Sequence, residues 1–185
     1  MKENRAIYPG SFDPVHLGHL DVIRRSTQIF SSVIVAVAAS KAKGPLFSVD
    51  VRMQMLRDSL GDNPAIQILP LHGLLVDFAR EQEVFTVIRG LRAVSDFEFE
   101  FQMALMNRKL EPRLETVYLT PKEDYTYLSS RIVKEVALFG GDVEKFVPAP
   151  AAARLKMGLG EPGAAEQARL RQKVESGVAT LKEPC

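Results

Sequence analysis

The stretch YPGSFDPVHLGH, residues 8–19, decides how the rest of this sequence is interpreted. It follows Ala6 and Ile7, which together with Tyr8 predict a first strand. A Pro-Gly-Ser turn comes next, and His-Leu-Gly-His then opens a helical pattern. A strand that passes through a glycine turn into a helix is where α/β proteins bind phosphates, because the helix N-terminus carries free N–H groups and about half a positive charge. The stretch therefore predicts a phosphate-binding turn in an α/β fold.

Apolar runs alternate with helical patterns along most of the chain. Strands are predicted at residues 5–8, 33–39, 66–71, 84–89 and 116–119. Helices are predicted at residues 17–30, 51–60, 74–82, 97–110 and 129–139. The run at 33–39 is apolar throughout, as expected for a strand covered on both faces of a parallel sheet. This order predicts an α/β fold with a Rossmann-like, doubly wound, parallel five-stranded sheet and ligands at the carboxyl ends of its strands.

The composition fits one globular domain with a short helical C-terminal appendage. The chain has 185 residues, of which 46% are hydrophobic and 25% charged, so it can bury a sizeable core. The main domain is predicted over residues 1–157, followed by a helical or partly disordered extension over 158–185. Residues 158–163 match G-x-G-x-x-G, but no strand precedes them and Pro162 lies among them, so they do not predict a dinucleotide site.

The charge balance and the cysteine content limit the partners. The net charge is +1, from 24 basic and 23 acidic residues, which gives no support for a nucleic-acid binder. Cys185 is the one cysteine, so no disulfide can form within the chain. No apolar run is long enough for a signal peptide or a membrane span. We therefore expect a cytoplasmic protein without nucleic-acid or membrane partners.

His16 and His19 are the first candidates for chemistry. An imidazole at a helix N-terminus can donate a hydrogen bond to a phosphoryl oxygen whose charge grows during displacement. Ser11 and the amide of Phe12 add donors in the same turn. Local packing and a metal pair are the alternatives, since histidines three apart share a helix face. No protein-held metal is predicted, because the further soft ligands His72 and Cys185 lie in no ligand motif.

Basic residues follow the second and fourth predicted strands. Lys43 lies where a lysine can reach a phosphate at the sheet edge, and Lys41 is the alternative candidate for this role. Arg89 and Arg92 flank Gly90-Leu91 and offer guanidinium forks that suit phosphate oxygens. The alternative for the two arginines is a surface ion-pair cluster with the acids of the next helix, which are Asp96, Glu98 and Glu100.

A serine-rich segment begins the fifth predicted helix. Residues 125–131 read YTYLSSR, and Ser129 or Ser130 can cap the helix. Hydroxyls and free amides at a helix start also suit triphosphate oxygens, so both roles can hold together.

Together these motifs resemble the nucleotidylyltransferases, and more narrowly the bacterial phosphopantetheine adenylyltransferase family. The matching pieces are YPGSFDPVHLGH, the AAS-x-x-K loop, IRGLRAVSDFEFE, MNRKL and LSSRIVKEV, in that order over residues 5 to 148. The resemblance implies transfer of AMP from ATP to 4'-phosphopantetheine in coenzyme A biosynthesis, with Mg²⁺ held mainly through the ATP phosphates. It also implies a homohexamer.

The resemblance further implies roles for individual residues. His19 is expected to stabilise the transition state at the α-phosphate, with Lys43 and Arg92 as further catalytic residues. The residues expected to hold phosphopantetheine are Ser11, Lys43, Leu75 and Arg89. The residues expected to contact ATP are Ser11, Phe12, His19, Gly90, Leu91, Arg92, Glu100, Tyr125, Thr126, Tyr127, Leu128, Ser129, Ser130 and Arg131.

Three positions depart from the family pattern, and two other functions stay open. Ser11 replaces a threonine and keeps the hydroxyl, Arg131 stands where serine is frequent, and the tail after about residue 160 has no counterpart in the shortest members. One alternative is a related transferase that acts on nicotinamide mononucleotide or an alcohol phosphate, against which RGLRAVSDFE speaks. The other is a non-catalytic nucleotide sensor, which is disfavoured by the intact His19, Lys43, Arg89 and Arg92.

Overall fold

The structure is a computed structural model that describes residues 4–39, 44–92 and 94–160. The strands are β1 Arg5–Gly10, β2 Ser32–Ala38, β3 Ile66–Leu71, β4 Thr86–Gly90 and β5 Glu115–Leu119. The helices are α1 Leu17–Ile29, α2 Val49–Leu60, α3 Leu75–Gln82, α4 Val94–Leu110, α5 Ser130–Leu138 and α6 Ala149–Gly160, with a short 3₁₀ turn at Glu123–Tyr125. The predicted α/β order of strands and helices is confirmed, with shifts at the element ends.

All strand pairs of the five-stranded sheet are parallel, in the order β3-β2-β1-β4-β5. The chain builds one side of the sheet from β1 to β3 and then crosses to β4, which pairs with β1 at Ile7 and Val87. The strand order therefore reverses between β1 and β4. In doubly wound sheets the crevice at such a reversal, at the carboxyl ends of the strands, is where ligands bind. Gly10 and Gly90 end the two strands at this edge.

The central strands are buried on both faces, which explains their continuous apolar sequence. Along β2, Val33, Val35 and Val37 face one hydrophobic cluster, whereas Ile34 and Ala36 face the other. This period of two is what a pleated strand requires when helices cover both sides. The sheet is thus the rigid support from which the loops of the carboxyl edge project.

Helix α6 corresponds to none of the five helices predicted from the sequence. Ala151, Ala152 and Leu155 of α6 are buried, and the helix packs against α2 and α5. It spans the predicted domain boundary between residues 157 and 158. Residues 161–185 lie outside the described residues, so the predicted extension stays a prediction. Across the ranges that the structure describes, the helices are too short or too polar to cross a membrane.

Candidate active site

A cavity of about 480 Å³ opens at the carboxyl ends of β1 and β4. Its walls come from the β1–α1 turn, the first turn of α1, the end of β4 with the start of α4, and the first turn of α5. The predicted site residues that line it are Ser11, His19, Arg89, Gly90, Arg92, Glu100, Tyr125, Ser129, Ser130 and Arg131. The topology therefore brings motifs that are far apart in the sequence to one crevice.

The β1–α1 turn is packed tightly around Phe12. The Phe12 ring is fully buried and contacts Tyr8 and His19 edge to face, with ring centroids 5.6 Å and 4.9 Å apart. A β-carbon at Gly10 would come within 2.8 Å of the Phe12 ring, so this position accepts only glycine without a shift of the ring. Glycine at the end of β1 thus lets Phe12 fill the space below His19.

His16 and His19 form a reciprocal pair at the start of α1. The backbone N–H of His19 donates to His16 Nδ1 at 3.3 Å, and the backbone N–H of His16 donates to His19 Nδ1 at 3.2 Å. The two rings stack with their centroids 3.6 Å apart. This is a capping box built from histidines, in place of the usual Ser/Thr and Glu. Because each Nδ1 accepts a hydrogen bond, each neutral ring carries its proton on Nε2.

The surroundings of the two imidazoles keep them neutral. Burial, and then the positive charge of Arg92, lower the pKa of His16 to about 3. Burial lowers the pKa of His19 well below its ordinary value, and the neighbouring His16, Arg92 and Arg89 lower it further. His19 therefore presents a neutral Nε2–H donor next to the cavity.

Arg89 and Glu100 form a bidentate ion pair in the wall of the cavity. Arg89 Nε donates to Glu100 Oε2 at 2.6 Å, Nη2 donates to Oε1, and Nη1 donates to the carbonyl of Pro9 at 3.0 Å. Burial lowers the pKa of Arg89, but the hydrogen bonds and charge of Glu100 outweigh this and raise it. The guanidinium stays charged and is held in one orientation between β1 and α4.

Arg92 is held in a similar way, nearer to α5. Its Nε and Nη2 donate to the carboxylate of Asp96 at 2.9 and 3.1 Å, and its Nη1 donates to the carbonyl of Leu128 at 2.6 Å. The sequence left open whether Arg89 and Arg92 bind phosphate or pair with nearby acids. The structure shows both paired, and yet both line the cavity.

The first turn of α5 forms the wall of the cavity next to Arg92, which donates to the carbonyl of Leu128 just before this helix. Ser129 caps the helix by accepting a hydrogen bond from the N–H of Ile132 at 3.2 Å, and Ser130 Oγ donates to the carbonyl of Pro14 at 2.8 Å. A β-carbon at Gly18 would lie 3.3 Å from Cβ of Tyr125, so Gly18 permits the close approach of this segment to α1. The N-termini of α1 and α5 thus both meet at the cavity, where their dipoles favour an anion.

Other predicted residues lie elsewhere. Leu75 lines an adjoining cavity of about 100 Å³, which shares Arg89, Phe99 and Glu100 with the larger one. Phe12 is buried and lines neither cavity, and Lys43 falls outside the described residues. The residues that do not line either cavity are Leu91, Thr126, Tyr127 and Leu128.

The sequence reasoning did not single out several residues that line the cavity or support it. Tyr8, Phe99 and Pro121 line it. Burial raises the pKa of Tyr8, so its hydroxyl stays protonated beside Arg89 and Arg92. Arg52, fully buried in α2, supports the β1–α1 turn from behind. The position of Tyr8 at the end of the first strand was a usable signal, whereas nothing in the sequence around Arg52 distinguishes it from a solvated helix residue.

The residues in the ranges 4–39, 44–92 and 94–160 do not form a metal-binding cluster of their own. No three side chains among His, Cys, Asp and Glu gather there with metal-ligand geometry. Glu100, the carboxylate that lines the cavity, is engaged by Arg89.

Fold and cavity together define a doubly wound α/β protein with an arginine-lined cavity at its topological switch point. A model of the cytidylyltransferase-like family matches residues 7–136. A phosphopantetheine adenylyltransferase from Nitrosospira multiformis is 54% identical over 144 residues, which cover 78% of this chain and 87% of that protein. One from Thioalkalivibrio sulfidiphilus is 52% identical over 155 residues, covering 84% and 98%. The chain therefore belongs to the cytidylyltransferase-like family, and within it to the phosphopantetheine adenylyltransferases.

Solved structures share the fold at low sequence identity. A bifunctional NMN adenylyltransferase/ADP ribose pyrophosphatase from Francisella tularensis, complexed with AMP and a Mn ion, aligns with 99% of this chain at a TM-score of 0.75 and 16% identity. The chain spans 57% of that protein. The Plasmodium falciparum nicotinic acid mononucleotide adenylyltransferase complexed with NaAD aligns with 84% of this chain and 95% of its own length, at a TM-score of 0.62 and 14% identity.

The neutrality of the histidine pair is directly testable. We expect both rings to remain uncharged, with the proton on Nε2, across the range of about pH 5 to 8 in which an unperturbed histidine titrates. Two-dimensional ¹H–¹⁵N spectra of the imidazole nitrogens measure the tautomer and the charge. Since the folded pKa values lie below the unfolded value of 6.5, the unfolded chain binds more protons below that pH, and stability falls as the pH drops from 6.5 towards 3. Protonation of either ring near pH 6.5 in the folded protein would contradict this description.

Proposed function

We propose that this chain transfers the adenylyl group of ATP to 4'-phosphopantetheine and so forms dephospho-CoA and pyrophosphate, a step of coenzyme A biosynthesis. The family membership supports the reaction class, and relatives of about half-identical sequence carry the name of this activity. The cavity supports it independently, because it joins two helix N-termini with two oriented guanidinium groups. Such a site suits a substrate with several phosphate groups.

The observation that carries the proposal is the neutral Nε2–H donor of His19 at the N-terminus of α1. In the reaction, a phosphate oxygen of 4'-phosphopantetheine attacks the α-phosphorus of ATP and forms the new P–O bond. The bond from the α-phosphorus to the bridging oxygen breaks, and pyrophosphate leaves with that electron pair. Negative charge grows on the α-phosphoryl oxygens, and a fixed neutral donor stabilises it without reorganisation.

The attacking group needs no activation by the protein. A phosphate monoester is largely dianionic near neutral pH, since its second pKa is about 6. Catalysis then consists of holding the two substrates in line and stabilising charge, with no covalent intermediate on the chain. Arg92, on the ATP side, and Lys43 are proposed as the cationic groups that assist His19.

The two adjoining cavities suggest where each substrate binds. The larger one, between α1 and α5, is proposed to hold ATP through Ser129, Ser130 and Arg131. The smaller one, beside Leu75, has both apolar lining residues, such as Phe99 and Met103, and polar ones, and it is proposed to take part of the arm of the acceptor. Arg89 lines both, so it is proposed to bind the acceptor phosphate where the two substrates meet. Ser11 is proposed to contact both.

Mg²⁺ is proposed to enter as part of the substrate, bound to the phosphate oxygens of ATP. The cationic lining of the cavity fits this arrangement, because the described residues contribute guanidinium groups rather than a carboxylate cage. Within the site, the chain's own groups orient the triphosphate through N–H and O–H donors, and the cation reduces the repulsion between substrate phosphates.

The face of α4 supports assembly with further copies of the chain. Seven apolar side chains of this helix are 41–60% exposed, which are Phe97, Phe99, Phe101, Met103, Leu105, Met106 and Leu110. Exposed apolar surface of this extent marks an interaction site. We therefore propose a homo-oligomer that covers α4, with the hexamer expected for the family.

Replacing His19 tests the proposed chemistry. His19→Ala is expected to lower kcat by at least about 10²-fold, because one transition-state donor contributes this much in comparable sites. The KM for ATP should change far less. His19→Gln, which keeps an N–H donor, should retain more activity. Steady-state release of pyrophosphate measures kcat and the KM for ATP of both variants. Near-normal turnover of His19→Ala would remove His19 from the proposed role.

A comparison of Arg89→Ala with Glu100→Gln tests the acceptor site. Arg89→Ala should raise the KM for 4'-phosphopantetheine more than the KM for ATP. Because Glu100 holds Arg89 at 2.6 Å, Glu100→Gln should follow the same pattern. A selective rise in the KM for ATP in Glu100→Gln would instead assign Glu100 to the nucleotide, as the family resemblance implies. Equal effects of Arg89→Ala on both substrates would reassign Arg89.

Negative charges introduced on α4 test the proposed interface. In the double variant Leu105→Glu and Met106→Glu, two carboxylates would be buried in the interface, so the assembly should dissociate. Sedimentation velocity measures the change. Phe139→Glu is the matched control, since Phe139 is 70% exposed and lies after α5, away from α4. If the wild-type chain sediments as a monomer, or if the double variant keeps the wild-type mass, this face is not the interface.

A further inference from the structure

Arg52 is the largest side chain of the described residues that is almost fully buried, with 1% exposure. A buried guanidinium needs hydrogen-bond partners, because burying an unsatisfied charge is very unfavourable. Its partners here are backbone carbonyl groups. Nε donates to Phe47 O at 3.0 Å, and Nη1 donates to Ser11 O at 2.6 Å and to Ala38 O at 3.0 Å. One side chain of α2 thus connects the turn after β1 with the end of β2 and the start of α2.

The contact with Ser11 fixes the direction of one peptide group. The bond between Ser11 and Phe12 is trans, so its C=O and N–H point in opposite directions. Because the carbonyl points to Arg52, the N–H of Phe12 points away from it. This N–H donates no hydrogen bond to any residue in the described part of the chain. Ser11, which precedes it, lines the cavity.

The backbone at Phe12 requires support to keep this orientation. Phe12 has φ 49°, in the left-handed region that a residue with a β-carbon seldom occupies. Such conformations persist where the surroundings over-determine them, and they cluster at functional sites. The buried ring of Phe12 supplies one restraint, and the hydrogen bond from Arg52 to Ser11 supplies a second.

Asp13 fastens the same turn from its other side. Its carboxylate accepts hydrogen bonds from the N–H groups of Leu46 and Phe47, both at 2.9 Å, and from Lys134 Nζ at 2.8 Å. The negative charge of Asp13 also counteracts the effect of burial, which lowers the pKa of Arg52. Arg52 and Asp13 together hold residues 11–13 against the segment that begins α2.

We propose that Arg52 is a positioning residue that holds the Ser11–Phe12 peptide with its N–H directed at a phosphate oxygen of the bound nucleotide. The proposal rests on the proposed function for the identity of the ligand. Arg52 touches no substrate in this arrangement and acts through the peptide group alone. Its guanidinium does what a lysine cannot, since an ammonium group lacks the planar fork that spans carbonyls of separate segments.

The kinetic test compares Arg52→Lys and Arg52→Ala with Met55→Ala. Met55 is the matched control, because it lies in the same helix and is also 1% exposed. Both Arg52 variants should lose about 10- to 10²-fold in kcat, the scale for one misdirected backbone donor. Met55→Ala should lose stability but keep kcat within about two-fold. Guanidinium ion at non-denaturing concentration should restore kcat of Arg52→Ala and leave Met55→Ala unchanged. A kcat in folded Arg52 variants that equals the control would overturn the proposal.

A second measurement does not depend on turnover, and its decisive part uses the wild-type chain. In wild-type protein labelled with ¹⁵N-phenylalanine, the amide resonance of Phe12 should shift when ATP is added without acceptor. The same resonance in Arg52→Lys should shift less. If the wild-type amide does not respond to bound ATP, the positioning role is wrong, whatever the variants do. If the amide responds but no product forms with 4'-phosphopantetheine, the proposed function fails and the positioning role stands.

Discussion

The contact between the Arg52 guanidinium and the carbonyl of Ser11 is the constraint from which the geometry of the site follows. The sheet places the ends of β1 and β4 side by side, but it does not determine how the chain turns after Gly10. That turn carries Ser11 and Phe12, and its φ of 49° at Phe12 has to be held in place. A charged side chain from α2 does so from the buried side. Packing and electrostatics therefore act together, because the same burial that strengthens the hydrogen bond makes its loss costly.

The cavity also illustrates how a cationic site is prepared before its ligand binds. Arg89 and Arg92 each have a carboxylate partner and a backbone carbonyl partner, so neither has to be ordered when a phosphate arrives. The carboxylate partners reduce the net positive charge of the site. In return, the guanidinium groups keep fixed directions, which favours a transition state of defined geometry over a loosely bound polyanion. The first turns of α1 and α5 carry no acidic residue, so the N-termini of these helices add positive potential to the cavity.

Particular residues show how much of the fold and of the site could be predicted from the sequence. The fold was predictable because the run at 33–39 and the turn at 8–19 are strong local signals with few alternative structures. The convergence of Ser11, Arg89 and Ser130 on one cavity followed from the rule that parallel strands place their loops at one edge. The sequence offered Glu100 as a partner of Arg89 but could not choose between it and phosphate, since the spacing of the residues reveals no preference of the guanidinium for either.

Two other cases show why local patterns fall short. Tyr127 belongs to the motif at 125–131 but lines neither cavity, because it is 60% exposed and packs edge to face on Phe146, so its contact with ATP stays a prediction. Arg52 looks like an ordinary helix residue in the sequence, and its role depends on carbonyl groups that only the folded chain brings together. The predicted roles of Lys43, the extension over 158–185 and the hexamer remain predictions.

The histidine capping box has one more consequence, which concerns thermal behaviour. The two hydrogen bonds that begin α1 are the same two that fix the tautomer of His19. Helix ends fray at lower free-energy cost than the core unfolds. When the first turn of α1 frays, these two hydrogen bonds break and no longer keep the proton of His19 on Nε2, although the sheet stays intact. Catalytic competence and global folding are therefore separable properties of this chain, and warming should abolish the first before the second.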